Sequence, residues 1–312
     1  MARADASRRP GRLGVGVVGA GKVGAVLGAA LRSAGHAVVG VSAVSDASRE
    51  RAENLLPGVP VLEVPDVIER AELVLLTVPD DALPDLVEGL AQLGAWQAGQ
   101  LVVHTSGRYG TSVLGPARAA GAIPLAIHPA MTFTGLSLDL GRLPDSMFGI
   151  TAPAAVLPIA QALVVEMGAE SVVIEEESRA LYHAALAHAS NHLVTIAAQS
   201  AQLLGDVGVQ HPDRLLGPLM KASLENALSS GEGALTGPVA RGDAGTVRAH
   251  RAALDSHDAP DTRQAYLAMA RVTALRALER GILSSAQGQA ILAVLADTVE
   301  DEPPGAPDAP RP

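Results

Sequence analysis

The sequence predicts an α/β protein: a Rossmann-type, doubly wound parallel sheet followed by an all-helical C-terminal domain. A glycine-rich loop stands between an apolar strand and a helix near the N-terminus. Short apolar strands then alternate with helical segments up to about residue 176, and no β-rich stretch follows Ser178. The chain has 312 residues, 48% of them hydrophobic, which is enough material for two moderate cores.

The glycine-rich loop, GAGKVG at residues 19–24, follows the apolar strand 13–18 and opens a helix. In dinucleotide-binding folds the first glycine permits a tight turn and the second lets the backbone approach a pyrophosphate. The third glycine allows close packing of helix and strand. The pyrophosphate then lies on free N–H groups at the helix N-terminus. The predicted cofactor-binding residues of this loop are Gly19, Gly21, Lys22, Val23 and Gly24.

The end of the second strand indicates which dinucleotide binds. NAD-preferring domains usually place Asp or Glu there to bind the adenosine 2′-hydroxyl, whereas this chain has Ser42, followed by Ser45. Both hydroxyls can donate to a 2′-phosphate, and Arg49 or Arg51 stands nearby to supply positive charge. Asp46, an acidic residue shortly after the same strand, instead favours NAD. The sequence therefore favours NADP over NAD.

Three further strands end in residues suited to a site: AELVLLTVPDD, GQLVVHTSG and IPLAIHPAMTF. Parallel strands bring their carboxyl ends to one edge of a sheet, where doubly wound folds hold ligands. His128 is a candidate acid/base here, and Pro129 a candidate substrate contact. The residues predicted to hold the ribose–nicotinamide end of the cofactor are Val78, Pro79, Asp80, Thr105, Ser106 and Gly107.

The predicted domain boundaries follow from these segments. A Rossmann-like dinucleotide-binding domain covers residues 12–176, and a helical domain for substrate binding and dimerisation covers residues 177–297. Residues 1–11 and 298–312 are expected to be disordered tails, because the first is rich in arginine and the second in proline and charge.

The composition excludes several classes of function. A net charge of −10 leaves no basic face for a nucleic-acid backbone, and aromatic residues, which stack on bases, are 2% of the chain. The absence of cysteine removes disulfides, thiolate metal sites and cysteine nucleophiles. No apolar run reaches the roughly 18–20 residues that a membrane helix needs. We expect a cytoplasmic protein that binds neither nucleic acid nor membrane.

The order of motifs GAGKVG, TVPDDAL, VVHTSG, IHPAMTF, YHAALAHASNHLV and LTGPVARGD resembles one bacterial family. Its members join a Rossmann-like domain to a helical domain of undefined function and are regarded as oxidoreductases. The chain is also similar to the 6-phosphogluconate dehydrogenase-like superfamily, which includes ketopantoate reductases, hydroxyisobutyrate dehydrogenases and pyrroline-5-carboxylate reductases. The resemblance covers roughly residues 12–295 and implies an NADP(H)-dependent oxidoreductase.

One feature of those relatives is missing from this chain. Ketopantoate reductases and hydroxyisobutyrate dehydrogenases use a Lys-x-x-x-Asn pair on the first helix after the sheet, where the lysine protonates the forming alkoxide. The only lysines here are Lys22 and Lys221, and neither stands on the helix that begins near Ser178. Any hydride-transfer chemistry must therefore use another acid.

The segment LYHAALAHASNHLV, residues 181–194, offers a replacement. His188 and Asn191 are three residues apart and share a helix face. An imidazolium can donate a proton near neutral pH, so we predict His188 as the acid/base, with Asn191 positioning the substrate and His128 facing His188 across the cleft. In the plainer interpretation, His183 and His192 are exposed or hydrogen-bonded residues of the helix.

A metal site competes with this interpretation. His188-x-x-x-His192 matches the spacing of zinc ligands on a helix. The metalloprotease pattern, however, needs Glu after the first histidine, and Ala189 stands there. We therefore expect no metal.

The stretch ALTGPVARGD is polar and turn-rich between apolar helices. Arg241 could bind a substrate carboxylate in a bidentate manner, and Thr236 could contact the same substrate. Alternatively, an Arg241–Asp243 pair orders the loop and Asp243 caps the next helix.

Together these features predict reduction of a carbonyl, such as that of a ketopantoate-like 2-oxoacid, or of an imine, on a small carboxylate-bearing substrate. A dinucleotide-binding regulator without turnover and a metal-dependent hydrolase are the alternatives. The alanine- and leucine-rich segment at residues 265–281 has more apolar surface than a small helical unit hides alone. A homodimer through the helical domain is therefore expected.

Overall fold

Seven strands form one sheet in the order β2-β1-β3-β4-β5-β6-β7 in the computed structural model, which describes residues 12–296. The strands are β1 Gly14–Val18, β2 Ala37–Ser42, β3 Leu73–Leu76, β4 Leu101–His104, β5 Ile123–Pro129, β6 Met147–Thr151 and β7 Glu170–Val173. Strands β1 to β5 are mutually parallel. Their Val- and Leu-rich segments are buried because helices cover both faces of a sheet of this kind.

Helices alternate with these strands and continue beyond them. The first six are α1 Lys22–Ser33, α2 Asp46–Leu55, α3 Val64–Glu69, α4 Leu83–Gln92, α5 Gly115–Ala119 and α6 Leu157–Glu166. The other six are α7 Arg179–Asp206, α8 Pro212–Ser230, α9 Gly237–Ala240, α10 Ala244–Asp255, α11 Pro260–Glu279 and α12 Ser285–Leu295. Short 3-10 helices cover Thr111–Leu114, Ser137–Asp145, Glu176–Ser178 and Gly231–Ala234. The predicted fold class is confirmed.

The chain reverses its direction of travel across the sheet between β1 and β3. From β1 it crosses to β2 on one side, and then returns past β1 to β3 on the other. In open α/β sheets, ligands bind at this switch point, outside the carboxyl ends of the strands. The glycine-rich loop follows β1, and residues 78–80 follow β3, so both predicted cofactor segments lie there.

The far edge of the sheet departs from the all-parallel arrangement. Strand β6 is antiparallel to β5, with His128 opposite Gly149, and β7 is parallel to β6. An antiparallel partner begins at the sheet edge where β5 ends. The connection of residues 130–146 therefore stays at the carboxyl edge, the side on which the glycine-rich loop lies. Apolar strand patterns alone do not reveal this reversal of direction.

A buried carboxylate organises that connection. Asp139 is fully buried, and its Oδ2 accepts hydrogen bonds from the backbone N–H groups of Thr134 and Gly135, both at 2.8 Å. Its Oδ1 accepts from the Thr134 hydroxyl at 3.0 Å, and Arg142 lies 3.4 Å away. Buried charges are tolerated when they are hydrogen-bonded in this way. Asp139 therefore fixes the loop that carries Gly135.

The long helix α7 crosses the division of the chain. The domain boundary near Glu176 stays a prediction. Among the described residues the chain separates into compact units of residues 12–192 and 193–296, and this division falls inside α7. The reason is that the first turns of α7 pack on the sheet, where Arg179 is buried and Tyr182 and His183 are half-buried. The two predicted tails lie outside the described residues.

The second unit has a small core of its own. Val239, Val247, Ala274, Ile291 and Leu295 bury their side chains together. The helices that supply them begin at recognisable caps. The Asp243 carboxylate accepts from the Thr246 N–H at the start of α10, and Ser284 forms a capping box with Gln287 at the start of α12. Within residues 12–296, no helix is both long enough and apolar enough to cross a bilayer.

Asp139→Ala is expected to destabilise the first unit by about 2–4 kcal/mol, because several charge-assisted hydrogen bonds are lost and backbone N–H groups remain unpaired. Urea unfolding followed by Trp96 fluorescence measures this, since Trp96 is buried in the core of that unit. Asp145→Ala, an exposed neighbour, should change the unfolding free energy by no more than about 0.5 kcal/mol. Equal effects of the two substitutions would contradict the assigned role of Asp139.

Candidate active site

The glycine-rich loop is held from both neighbouring strands. Gly19 has φ +98°, a left-handed conformation that favours glycine. Its N–H donates to the Ser42 hydroxyl oxygen at 2.9 Å, and its carbonyl accepts from the Thr77 hydroxyl at 2.6 Å. The turn is therefore clamped between the ends of β2 and β3. Thr77, which sequence reasoning did not single out, is one of the two residues that fix it.

The other two glycines of the motif have different surroundings. A Cβ on Gly24 would lie 2.1 Å from the Gly19 carbonyl oxygen and 2.2 Å from Thr77 Oγ1, so this position requires glycine for close packing. A Cβ on Gly21 would meet nothing within 4 Å. Helix α1 starts after Gly21 with no side-chain cap and no acidic residue in its first turn. Its N-terminus therefore presents backbone N–H groups that suit an anion such as pyrophosphate.

The two serines predicted for the adenosine end have structural partners. Ser42 is buried, and its hydroxyl oxygen holds the Gly19 N–H. Ser45 caps α2, where its hydroxyl oxygen accepts from the Ser48 N–H at 3.2 Å. Both stand at the end of β2 as expected, but their oxygens hold backbone groups of the protein.

Two cationic side chains flank Gly135 at the same edge. A Cβ on Gly135 would lie 3.0 Å from Cδ and Nε of Arg51 and 3.0 Å from Cγ of Lys22. Arg51 comes from α2 and Lys22 from the glycine-rich loop, and the loop ordered by Asp139 brings Gly135 between them. Arg49, the other predicted cation, is exposed on α2. The structure thus gathers positive charge beside the predicted phosphate sites.

The segments predicted for the nicotinamide end follow β3 and β4. Val78, Pro79 and Asp80 form the turn after β3. In the turn Thr105–Ser106–Gly107, the Ser106 hydroxyl oxygen accepts from the backbone N–H groups of Arg108 and Tyr109 at 3.3 and 3.4 Å. These bonds order the turn beside the switch point.

The side chains of His128, Tyr182 and His183 form a cluster of three rings, and the two histidines pack on Gly107. His128 Nδ1 lies 2.9 Å from the Tyr182 hydroxyl, and the rings of His128 and His183 meet edge to face at 5.8 Å between centroids. A Cβ on Gly107 would lie 2.6 Å from His183 Cδ2 and 2.9 Å from His128 Nε2. His128 Nε2 therefore faces the turn predicted to hold the nicotinamide end.

Arg179 lies beneath this cluster with 1% of its surface exposed. Its Nε donates to Thr151 Oγ1 at 2.7 Å, and its Nη2 donates to the carbonyl oxygens of Ala126 and Gly149 at 3.1 and 3.0 Å. The guanidinium carbon lies 5.8 Å from the centroid of the Tyr182 ring. One buried cation thus joins β5, β6 and the first turn of α7.

Sequence reasoning missed Arg179 and Tyr182. The available signal was their spacing: Arg179, Tyr182 and His183 stand at i, i+3 and i+4, and therefore share one face of α7 directly after the last strand.

Burial keeps the imidazoles of His104 and His128 neutral at neutral pH. The pKa of His128 is lowered to about 4, chiefly by burial and in smaller part by nearby His183 and Arg179. Burial likewise lowers the pKa of His104 to about 4, although a bond to the Gly110 carbonyl opposes the shift. His104 Nε2 donates to that carbonyl at 2.7 Å, and its Nδ1 accepts from the Ser106 N–H at 3.2 Å. His128 is therefore not an imidazolium at neutral pH.

Glu176 ties the start of α7 to the turn after β4. Its carboxylate accepts from the backbone N–H groups of Thr111 and Ser112 at 2.7 and 3.0 Å. Burial alone would raise the pKa of Glu176, but the hydrogen bonds from Ser112 and Thr111 outweigh it and lower that pKa below its usual value.

The predicted pair His188 and Asn191 stands on another face of α7. Both side chains are exposed, and His188 Nδ1 lies 2.8 Å from Nδ1 of His192. Five residues separate His183 from His188, which is about 140° around a helix. The structure therefore brings His183, and not His188, against His128. The expectation that His128 faces His188 is wrong for this reason.

The predicted substrate residues divide between the two units. Pro129 ends β5 in the first unit, where it is buried opposite Phe148. Arg241 and Thr236 belong to the second unit, and Arg241 Nη1 lies 3.5 Å from Thr236 Oγ1. Asp243 caps α10, as the plainer interpretation of this loop expects.

His188 and His192 have the spacing of two zinc ligands on a helix. Among residues 12–296, no group of three or more His, Asp or Glu side chains is placed so that it could hold a metal ion.

Two family models match the chain. Residues 1–129 match a Rossmann-like domain, and residues 146–273 match a domain of unknown function, DUF2520. The chain thus joins a Rossmann-like domain to a DUF2520 domain. The resemblance inferred from the motifs is confirmed, and the junction of the two models falls between β5 and β6. A comparison with curated proteins finds no match.

Solved structures share the fold over most of the chain. The "putative NADP oxidoreductase BF3122" from Bacteroides fragilis is 21% identical, with a TM-score of 0.71, and the match covers 84% of this chain and 98% of that one. Protein TM1727 from Thermotoga maritima is 25% identical, with a TM-score of 0.64 and coverages of 85% and 99%. An imine reductase from Pseudomonas sp. is 19% identical, with a TM-score of 0.57 and coverages of 91% and 92%.

The depressed pKa of His104 predicts a pH-dependent stability. The unfolded side chain titrates near 6.5 and the folded one near 4, so the unfolded state binds more protons between these values. The free energy of unfolding is expected to fall as the pH drops from 6.5 towards 4, by up to about 3 kcal/mol from this residue. Urea titrations at several pH values measure it. His104→Gln keeps a donor for Gly110 and should flatten the profile, whereas an unchanged slope would contradict the assignment.

Proposed function

We propose that this protein is an oxidoreductase that uses a nicotinamide dinucleotide, with NADP(H) preferred, to reduce a carbonyl or imine group of a small substrate. One observation carries the proposal: the glycine-rich loop and the N-terminus of α1, which together form the proposed cofactor cradle, lie at the switch point of the sheet with a geometry that suits a pyrophosphate. Gly21 is open to a ligand, α1 presents an uncapped N-terminus, and Thr77 and Ser42 hold the turn. The names of the Bacteroides and Pseudomonas structures, an NADP oxidoreductase and an imine reductase, support it.

The preference for NADP(H) rests on Arg51 and Lys22. Both lie beside Gly135 at the edge of the cradle, where a 2′-phosphate would meet two cations. Ser42, at the end of β2, can still donate its hydroxyl proton to that phosphate. The Ser45 hydroxyl donates to Ser48 Oγ at 3.2 Å and would have to exchange that acceptor for the phosphate.

Arg51→Ala is expected to weaken NADPH binding about 10–100-fold, because a charge-assisted hydrogen bond contributes about 1.5–3 kcal/mol. NADH binding should change little, since NADH has no 2′-phosphate. Fluorescence titrations with the two cofactors measure both constants. Arg49→Ala, on the same helix but exposed, is the matched control. An equal loss of affinity for NADPH and NADH would show that Arg51 does not bind the 2′-phosphate.

The reduction needs a proton for the product oxygen or nitrogen; when bound, the nicotinamide supplies the hydride. We assign the proton to Tyr182, delivered through His128. The relay has Tyr182 donating to His128 Nδ1, 2.9 Å away, which leaves Nε2 as the N–H that faces Gly107. As Nε2 releases its proton to the product, Nδ1 takes the proton of Tyr182. The tyrosinate that remains lies near the Arg179 guanidinium.

The local electrostatics suit this relay. Burial raises the pKa of Tyr182, so the hydroxyl is protonated and ready at neutral pH, while Arg179 and the Gly149 N–H act in the opposite direction and favour the tyrosinate. His128, with a pKa of about 4, rests as the neutral imidazole that a relay requires.

Tyr182→Phe is expected to lower kcat about 10²–10⁴-fold, the usual contribution of a general acid. KM and the affinity for NADPH should change by less, because the ring and its packing remain. His188→Ala and Asn191→Ala test the other predicted site, on the exposed face of α7. If these two substitutions abolish turnover and Tyr182→Phe does not, the acid lies with His188 and Asn191, and the relay is wrong.

The substrate is proposed to carry a carboxylate, held by Arg241 with Thr236 beside it. Arg241 is exposed, and its guanidinium retains donors beyond the contact with Thr236. A 2-oxoacid of the ketopantoate kind and a cyclic imine both fit this description. Imine reduction depends less on the lysine that this chain lacks.

Fluorescence titration with NADPH and NADH tests the proposed function directly, on the wild type and on Gly21→Asp, whose carboxylate would meet the pyrophosphate. The titrations are then repeated with 2-oxoacids and with cyclic imines. Tight NADPH binding that the variant loses, followed by oxidation with one substrate class, supports the reductase. NADPH binding without its oxidation by any substrate favours a regulator. If neither cofactor binds, the glycine-rich loop does not hold a dinucleotide and the proposed function is wrong.

A homodimer through the helical unit is also proposed. Helix α8 buries none of its residues, and Leu215, Leu219, Leu224 and Leu228 are 46–79% exposed. Leu215 and Leu224 are nine residues apart, about two and a half turns, so the leucines occupy opposite faces of α8. A second copy of the chain supplies helices with the same apolar character to cover both faces.

Leu219→Glu and Leu228→Glu are expected to shift the protein from dimer to monomer, because each places a charge in the apolar contact. Sedimentation velocity at micromolar concentration measures the state. Leu93→Glu is the control, since Leu93 is equally exposed in the first unit. A monomeric wild type would remove the proposed dimer.

A further inference from the structure

Arg108 is a cationic side chain at the predicted nicotinamide end of the site, and the proposed function leaves it without a role. It directly follows Gly107 in the turn after β4. Residues 77–83 and 104–112, which include the turns after β3 and β4, contain no other lysine or arginine. The Arg108 side chain is 49% exposed, so a ligand can reach it. Positive charge in this position suits an anionic group of the substrate.

The loop that carries Arg108 is held by buried groups. The Arg108 N–H donates to Ser106 Oγ at 3.3 Å. His104 is fully buried and fixes the loop at two points, since its Nδ1 accepts from the Ser106 N–H and its Nε2 donates to the Gly110 carbonyl. The backbone from which the Arg108 side chain extends is therefore fixed relative to β4.

The guanidinium of Arg108 lies over an aromatic ring. Its carbon is 4.6 Å from the centroid of the Tyr109 ring, within the range of a cation–π contact. Tyr109 is half-buried and packs against an apolar core cluster of the first unit. The ring holds the guanidinium without taking its planar N–H donors as an oxygen acceptor would. These donors can still form the forked pair of bonds that a carboxylate accepts.

Asp81 is a weak partner of Arg108. Arg108 Nη1 lies 3.4 Å from Asp81 Oδ1, and the Asp81 side chain is 96% exposed. An ion pair between groups this exposed contributes little. Asp81 belongs to the turn after β3, so the contact places the guanidinium between the two turns predicted to hold the nicotinamide end. A substrate carboxylate can take the place of Asp81 there.

Gly107 brings the same loop against the proposed proton donor. A Cβ on Gly107 would lie 2.9 Å from His128 Nε2, and neighbouring Cα atoms are about 3.8 Å apart. In a 2-oxoacid, or in a cyclic imine with a carboxylate on its C=N carbon, the carboxylate is bonded directly to the carbon that receives the hydride. The cation that binds this carboxylate must therefore lie close to the proton donor, and Arg108 is one residue away from that contact.

We propose that Arg108 binds the substrate carboxylate and makes the reductase selective for substrates that carry a carboxylate on the reacting carbon. This inference rests on the proposed function, since it concerns the substrate of the same site. It adds to the contact proposed for Arg241, because the two oxygens of a carboxylate offer about four lone-pair positions. Arg108, unlike Arg241, belongs to the same unit as His128 and Tyr182.

Pairs of substrates that differ in one charge test this selectivity. With NADPH present, 1-pyrroline-2-carboxylate is compared with 2-methyl-1-pyrroline, and 2-oxobutanoate with butanone. The measured quantity is the ratio of kcat/KM for the ionised member to kcat/KM for the uncharged member. Arg108→Gln is expected to lower this ratio about 10–100-fold, mainly through KM, because a charge-assisted hydrogen bond is lost.

Three further variants sharpen the test. Asp81→Asn removes the competing carboxylate and should raise the ratio by up to about fivefold, the strength of an exposed ion pair. Arg108→Lys keeps the charge but loses the planar fork, so its ratio should lie between those of the wild type and Arg108→Gln. Arg118→Gln, at an exposed arginine in the last turn of α5, is the matched control and should leave the ratio unchanged.

Binding is measured separately from turnover. In ligand-observed NMR with NADP⁺ present, the probe is pyrrole-2-carboxylate, a planar analogue that cannot be reduced in this way. The wild type should bind it more tightly than pyrrole-2-carboxamide, and Arg108→Gln should lose this preference. Fluorescence titration with NADPH should give the same affinity for Arg108→Gln as for the wild type.

The proposal is overturned if the wild type does not prefer the ionised substrate and the carboxylate probe, if Arg108→Gln keeps that preference, or if Arg108→Gln loses affinity for NADPH instead. In each of these results the wild type still oxidises NADPH, so the proposed reduction stands. A wild type that binds NADPH but oxidises it with no substrate refutes the reduction, and the binding of pyrrole-2-carboxylate then decides the role of Arg108 by itself. If neither NADPH nor the probe binds, both proposals are wrong.

Discussion

The buried guanidinium of Arg179 is the interaction on which the candidate site depends. Its donors are taken by Thr151 and by the carbonyls of Ala126 and Gly149, which belong to two antiparallel strands and to no carboxylate. Taking a cation out of water is costly unless its donors are satisfied. The geometry that satisfies them also fixes the first turn of α7, and Tyr182 reaches His128 as a result. The reversal of β6 is therefore a condition of the proposed chemistry.

The same reversal shapes the cofactor side. Because β6 begins where β5 ends, the intervening loop remains at the carboxyl edge and is ordered there by Asp139. Gly135 is thereby placed between Lys22 and Arg51. The single reversal of strand direction at β6 thus positions both the cations beside Gly135 and the contact between Tyr182 and His128. One matching family model ends at residue 129, before this loop, and the other begins at residue 146, at its end, although the sheet continues across it.

How much could be predicted from the sequence depends on how local each signal is. The glycine-rich loop and the caps at Asp243 and Ser284 are local patterns, and the strand ends follow from parallel topology. The direction of β6 depends on long-range pairing, which apolar runs do not encode, so Arg179 and Tyr182 were missed. The three histidines at residues 183–192 pointed to His188 as the acid. The half-buried residues of this part of α7, however, are 182, 183, 186, 187 and 190, which lie on a different face from His188. An alanine-rich helix hides that periodicity, because alanine is compatible with both faces.

The continuity of α7 across the division at His192 bears on how such proteins diversify. Two domains joined by a flexible linker can be exchanged between genes as separate modules. Here the junction is a helix, and its first turns carry Tyr182 and His183, the partners of His128 near the end of β5. Recombination at the apparent boundary near Glu176 would part His128 from both. An exchange of helical domains that kept the site intact would therefore have to leave residues 179–192 with the sheet on which they pack.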